Sequence, residues 1–209
     1  MNDKSPEGTR LRTLDADPAK AFFVEMLTRD LSLEDAILDL LDNCVDGALR
    51  AKQRRGQKKE NNFSGFHAEI TLQRKRFAIL DNCGGIPEDK LSYAFMHGRP
   101  DGPRDGGLPT VGIYGIGMKR AIYKIGKQAR VATKSDKLRC EVPFTREWMR
   151  SNNWQLPVTW TNEKFKEDGT LVEVTELRGR LKSHFARRAS INLEAAMRIS
   201  ASLFSGRYS

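Results

Sequence analysis

SLEDAILDLLDNCVDGALR, residues Ser32 to Arg50, is the stretch that decides how this chain folds. Ser32 stands three residues before Asp35, a capping-box spacing with Asp in place of Glu or Gln, so a helix begins here. Ile37, Leu38, Leu41, Cys44, Val45, Ala48 and Leu49 recur at helical spacing and form one broad apolar face. Asp39, Asp42, Asn43 and Asp46 fall at i, i+3, i+4 and i+7 and line the other side. The bland alternative is an amphipathic helix with a solvated back. Against it, Asp30 to Asp46 holds six acids and no Lys or Arg, in a chain of net charge +9. A solvated face ordinarily mixes signs and gains from i,i+4 pairs. Asp46 also lies toward the end where the helix dipole disfavours an acid. A row of carboxylates with one amide suits a hard cation such as Mg²⁺, with substrate phosphates completing its shell.

Composition sets the bounds. The 209 residues suffice for one sizeable core and a small appendage, and 39% hydrophobic with 30% charged residues describes a soluble globular protein. No apolar run approaches a membrane span, and the first residues lack the apolar centre of a signal peptide, so no membrane partner is expected. Cys44, Cys83 and Cys140 are odd in number without metal-type spacing, which favours reduced thiols in the cytoplasm. His67, His97 and His184 are isolated, which argues against zinc. The basic balance suits nucleotides or nucleic acid without choosing between them.

Outward from the helix, residues 1–16 read as a flexible N-terminal arm. Asp17-Pro18 opens a short helix to about Asp30. After Leu49 the run LRAKQRRGQKKENN reads as an exposed basic linker, solvated surface more readily than a nucleic-acid contact. His67–Leu72 and Arg76–Leu80 are two strands joined by a tight basic turn, and the second delivers Asp81 into DNCGGIP. Pro87 starts a short helix to about Met96. Strands follow at Ala129–Lys134, Leu138–Phe144, Val158–Thr161 and Thr170–Leu177, separated by turn signals that favour antiparallel hairpins. Trp148, Trp154 and Trp160 are expected to fill or cover the core. The segment 179–209 is basic and then helical, with Leu193, Ala196, Met197 and Leu203 as buried candidates, and reads as the start of a further domain.

Between Gly98 and Gly117 lie seven glycines. So long a Gly-rich stretch inside a compact unit is a functional lid or is disordered. Its end, GIYGIGMKRAIYKIG, runs into an apolar-periodic helix with Lys119 just inside: free N–H groups and a helix dipole favour an anion there. Gly117-Met118-Lys119-Arg120 fails the Walker A pattern, and Gly115-Ile116-Gly117-Met118-Lys119-Arg120 fails the dinucleotide fingerprint. Kinase signatures and a Gly-x-Ser-x-Gly elbow are absent.

An acid-and-Asn helix, a strand ending in Asp with glycines, a Gly-rich lid feeding a helix, and Gly169-Thr170 opening a strand come in fixed order. Over roughly residues 18–178 this resembles the GHKL ATPases (DNA gyrase B subunits, ninety-kilodalton heat-shock chaperones, sensor histidine kinases, MutL). Within them it is most similar to MORC-type and related bacterial histidine-kinase-like ATP-binding proteins. The resemblance implies the Bergerat fold, an α/β (α+β) two-layer sandwich with a mixed, mostly antiparallel sheet, helices on one face and a Gly-rich ATP lid, over residues 17–178. It implies ATP and Mg²⁺ as ligands. Asn43 would bind the Mg²⁺ and Asp39 would stand where the family's water-activating carboxylate stands. Asp42 and Asp46 would support the ion and the adenine pocket. Asp81 would accept a hydrogen bond from the adenine amino group, with Gly85 and Ile86 beside it and Thr170 holding the adenine side. Gly112, Gly115 and Gly117, with Tyr114, Ile116, Met118 and Lys119, would line the phosphates.

Two departures from the family pattern stand out. Cys83 replaces a Gly, and Asp39 replaces the usual Glu. One methylene fewer shortens the reach by about 1.3 Å, and a misplacement of about 1 Å can cost roughly 10²-fold in rate. Slow ATP hydrolysis coupled to lid closure at residues 97–117 and to a conformational or dimerisation change is the leading expectation. The alternative is a non-hydrolysing ATP-gated switch within a larger DNA-processing or signalling protein. A histidine kinase domain is disfavoured because no His-bearing helix precedes the motifs. A nucleic-acid or client surface on the basic linker and on Arg178–Arg188 could coexist with either.

Overall fold

The computed structural model describes residues 18–56, 63–98 and 115–178, and the backbone alone of 187–192. Helix α2, Leu33–Arg54, begins as its sequence asks: Ser32 Oγ accepts from the Asp35 N–H at 2.9 Å and donates to the Asp35 carboxylate. It outruns the expected end near Arg50, and Ala51 and Lys52 are buried, so the first part of the basic run is helix and not linker. Helix α1, Lys20–Thr28, precedes it.

Seven strands form one sheet in the order β5-β4-β3-β6-β2-β1-β7. They are β1 His67–Gln73, β2 Arg76–Asp81, β3 Gly126–Ser135, β4 Leu138–Phe144, β5 Thr159–Trp160, β6 Gly169–Leu177 and β7 Arg187–Asn192. Each described pairing is antiparallel, where the resemblance allows a mixed sheet. Strand β7 lies in a segment read from sequence as basic tail, and it pairs with β1. The expected helix from Leu193 lies outside the described residues, as do the N-terminal arm and positions 57–62. After Pro87 the chain makes a 3₁₀ turn, Glu88–Lys90, then the short helix α3, Leu91–Phe95. Helix α4, Gly117–Ile125, leads into β3, and α5, Arg146–Arg150, follows β4.

Strand alternation sorts the two faces of the sheet. Phe77, Ile79, Val131, Ala129, Val172 and Val174 point to one side and pack with Leu40, Leu41, Cys44, Val45 and Ala48 of α2 and Ala121, Ile122 and Ile125 of α4 in the main core. The other face holds a small apolar patch, Ala78, Ala132 and Leu171 with Phe165. Beside it Arg130 bonds Glu173 at 3.0 Å and Glu163 at 2.8 Å, and Arg76 pairs with the same Glu173. Helices on one face and ionic cross-strand pairs on the other make a two-layer α+β sandwich.

Two expectations change. The apolar stripe of α2 turns toward Ala36, Leu40 and Ala51, leaving Ile37, Leu38 and Leu49 half-buried, while Asp46, placed on the polar side, is only 3% exposed. A helix wedged between a sheet and a second helix buries more than one stripe. Trp148 and Trp154 pack in the core, but Trp160, on the two-residue edge strand β5, is 68% exposed and lies outside it.

Candidate active site

The floor of the site follows from register. Residues 77, 79 and 81 share the helix-facing side of β2, so Asp81 ends the strand pointing at α2. Thr170 on β6 and Thr133 on β3 face the same way; they are register partners, and Leu80 pairs with Leu171, which sets Asp81 next to Thr170. One row of polar side chains thus forms at the ends of three adjacent strands.

Backbone amides hold that row. Asp81 Oδ1 accepts from the N–H of Cys83 at 2.8 Å and from the N–H of Thr170 at 3.2 Å, and the Cys44 thiol of α2 donates to Oδ2 at 3.5 Å. Burial pushes the Asp81 carboxyl up to about 6, against the pull of those donors. Burial, with the negative Asp81 beside them, also drives the Cys44 and Cys83 thiols upward, so neither is a thiolate at neutral pH. Thr133 Oγ1 accepts from the Ile86 N–H at 2.8 Å and donates to the Gly169 carbonyl at 3.1 Å.

Glycines let backbones meet here. A Cβ on Gly85, at φ +63°, would lie 2.0 Å from the Lys134 carbonyl oxygen, and one on Gly169 would lie 1.9 Å from that of Asp81. Cys83, which replaces a family glycine, is accommodated because α2 offers Gly47 opposite it: a Cβ there would sit 3.1 Å from the Cys83 Cβ. Arg54 at the end of α2 donates to the Gly84 carbonyl at 3.0 Å, as does Ser135.

The other end of the site lies along α2. Asp39 is five residues before Cys44, about 7.5 Å along the helix axis. The N-terminal turn of α4 packs there, and a Cβ on Gly117 would make ordinary contact, 3.6 Å, with Asp39. Arg120 of α4 grips the Asp39 carboxylate with both Nε and Nη2, the latter at 2.7 Å. That bond, and the nearby Asp35 and Asp42, raise the guanidinium further above its ordinary value. Asn43 is exposed and donates through Nδ2 to the Asp39 carbonyl at 2.6 Å, leaving Oδ1 as the amide atom suited to a cation.

Of the residues singled out from sequence, Asp81, Gly85, Ile86 and Thr170 come together at the strand ends, and Asp39, Asn43 and Gly117 at the α2–α4 contact. Gly112 and Tyr114 lie outside the described residues. Met118 is buried in the core. Lys119 is 1% exposed, and its ammonium donates to the carbonyls of Ala94, at 2.8 Å, and Gly115. Arg178, expected on a nucleic-acid surface, instead donates to the carbonyls of Tyr123 and Gly126. Arg120, Cys44 and Thr133 were missed. The Lys119-Arg120 pair was the one available signal, whereas Thr133 depends on strand register and Cys44 on helix rotation.

The donor set fits the ligands that the resemblance implies. Among the described residues no group of three His, Cys, Asp or Glu could cage a metal by itself. Magnesium does not need such a cage, taking most of its ligands from water and phosphate. At the strand ends a carboxylate titrating near 6 is an acceptor at neutral pH, as a purine amino group requires.

A two-layer α+β sandwich with an inner strand that ends in a half-buried Asp, faced by a helix of carboxylates and an amide, is the frame of a nucleotide-binding ATPase. Residues 31–178 match the family model for histidine kinase-, DNA gyrase B- and HSP90-like ATPases, and the chain belongs to that family. Membership carries ATP binding and ATPase activity as the general expectation. No curated protein is similar enough to stand as a relative. Among the described residues no helix is long and apolar enough to cross a membrane.

Proposed function

We propose that the chain binds Mg·ATP between the β2–β6 strand ends and the α2–α4 contact, and hydrolyses it slowly. The observation that carries this is the Asp81 carboxylate, fixed by the Cys83 and Thr170 amides one row away from a helix that presents Asn43 and Asp39. Asp81 accepts from the adenine amino group, and Thr170 and Ile86 border the base. Asn43 Oδ1 contributes the protein's ligand to Mg²⁺, which neutralises phosphate charge when bound. Asp39 takes the proton of the water whose oxygen bonds the terminal phosphorus, as the bond to the bridging oxygen breaks and ADP leaves. Its shorter side chain, relative to Glu, supports slow turnover.

Residues 97–117 would close over the phosphates and convey occupancy to a dimer or a further domain. The three cysteines are unpaired thiols and all buried, which supports a reducing compartment, the cytoplasm. The basic runs at 57–62 and 179–186 that would touch a nucleic acid or client lie outside the described residues.

The test is phosphate release from Mg·ATP by wild type and by Asp39→Asn at ATP concentrations that saturate both. Turnover in wild type and its loss in the variant, by about 10²-fold or more, supports Asp39 as the base. Binding without turnover in both favours a second reading, the ATP-gated switch. The grip of Arg120 on Asp39 is the observation on its side, since a carboxylate held by a guanidinium is a poor base. Failure of wild type to bind ATP overturns both.

A further inference from the structure

Arg120 has no assigned part in such a site, yet it holds the carboxylate on which hydrolysis depends. Both guanidinium bonds go to Asp39, one to each oxygen. The two side chains are unequally accessible: Arg120 is 35% exposed and Asp39 14%. The guanidinium is therefore the solvent-facing member of the pair, and Arg120 stands in the first turn of α4, which packs on Asp39 through Gly117. A planar fork of N–H donors matches phosphate oxygens as well as it matches a carboxylate.

We propose that Arg120 is the residue that distinguishes a nucleoside triphosphate from a diphosphate, by exchanging its two-point hold on Asp39 for the terminal phosphate. The proposal rests on the ATP-site reading above, which puts the terminal phosphate beside Asp39. With a diphosphate there is no second anion for the fork, and Arg120 stays on Asp39. With a triphosphate the fork moves outward and the carboxylate is left to act on water. One side chain thereby both recognises the substrate and keeps the base neutralised when the substrate is wrong. Arg120 is a phosphate ligand in one state and a positioning partner of Asp39 in the other.

The experiment is calorimetric titration of the full chain with Mg·ADP and with the Mg complex of the β,γ-imido analogue of ATP. Wild type, Arg120→Gln, Arg120→Lys, Asp39→Asn and the Asp39→Asn/Arg120→Gln double variant are compared. Because the readout is binding, it is independent of turnover. Arg120→Gln is expected to weaken the imido analogue about tenfold or more, the scale of a charge-assisted bidentate contact, with ADP within about twofold. Arg120→Lys, a point charge without the fork, recovers part of the loss. Asp39→Asn removes the competitor and tightens the analogue several-fold without changing ADP, and that gain vanishes in the double variant. Equal weakening of ADP and analogue by Arg120→Gln overturns the proposal in favour of a purely structural pair. So does a gain from Asp39→Asn that persists without Arg120. If wild type binds neither nucleotide, the ATP-site reading itself has failed; if it binds both with no dependence on Arg120, only this proposal has.

Discussion

The two ends of the site are built by different means. At the strand ends, Asp81 is held by backbone amides from the loop at Cys83 and from β6, and the surrounding glycines let main chain approach main chain. At the α2–α4 contact, Asp39 is held by the long side chain of Arg120, and a Cβ on the nearby Gly117 would make only an ordinary contact. Backbone bonds within a sheet change only if the sheet opens, whereas a side-chain ion pair can exchange one anion for another while the main chain stays in place. The first end is fitted to recognise a constant group, and the second to respond to a variable one.

Alanine at the glycines breaks this contrast most sharply. Gly85→Ala meets the Lys134 carbonyl with φ at +63°, and the fold is expected to lose on the order of 4 kcal/mol or to fail to form. Gly117→Ala meets only an ordinary contact in a helix, and is expected to keep or raise stability by about 0.5 kcal/mol. Urea unfolding of both variants checks this. Equal losses would mean that the two ends are equally rigid.

A smaller effect separates the ends by pH. Asp81 titrates at about 6, and protonation turns one of its oxygens into a donor and leaves the other a weaker, uncharged acceptor. Nucleotide affinity is expected to fall as pH drops below about 6, approaching tenfold per unit, and Asp81→Asn should show weak, pH-independent binding. For stability the sign is opposite: because burial raises this carboxyl, its contribution is greatest below the ordinary carboxylate range and is lost as pH rises through about 6. ADP titrations and thermal unfolding over the same pH series report the two slopes.

The smallest effect concerns His97, next to Gly98, where the described chain breaks before Gly115. Its Nε2 lies 2.6 Å from the Tyr123 hydroxyl, its ring stacks on that tyrosine, and burial pulls it down to about 4, with Lys119 and Lys20 assisting. It is neutral at pH 7 and shares one hydrogen bond with the phenol. Its contribution to stability is present above the ordinary imidazole range and is lost as pH falls through about 4. His97→Phe is expected to cost about 1 kcal/mol at pH 7 and to flatten the acid limb of the melting temperature. An unchanged acid limb would show that the imidazole is not what acid attacks.

Much of this was legible in the chain, for local reasons. The Ser32–Asp35 cap, the apolar period of α2, the β1–β2 hairpin and the Asp81–Gly84–Gly85 strand end each follow from a few neighbouring residues, and the family motifs follow from those. What escaped depends on partners distant in sequence. Arg120 lies 81 residues from Asp39, and Thr133 is 37 residues from Thr170. The α2 burial pattern escaped because a periodic sequence shows that a helix has a face, not that α4 covers a second one.

Lys20 has a mechanical consequence. Its ammonium lies 3.5 Å above the Trp148 ring, is fully buried, and donates to the carbonyls of Trp148 and Asn153. Trp154, packed against the same ammonium, is in edge contact with His97. Anything attached ahead of residue 18 is therefore coupled in series, through one cation and two indoles, to the residue that precedes Gly98. Tension applied from that side would reach His97 through this rivet as well as reaching α2 along the main chain.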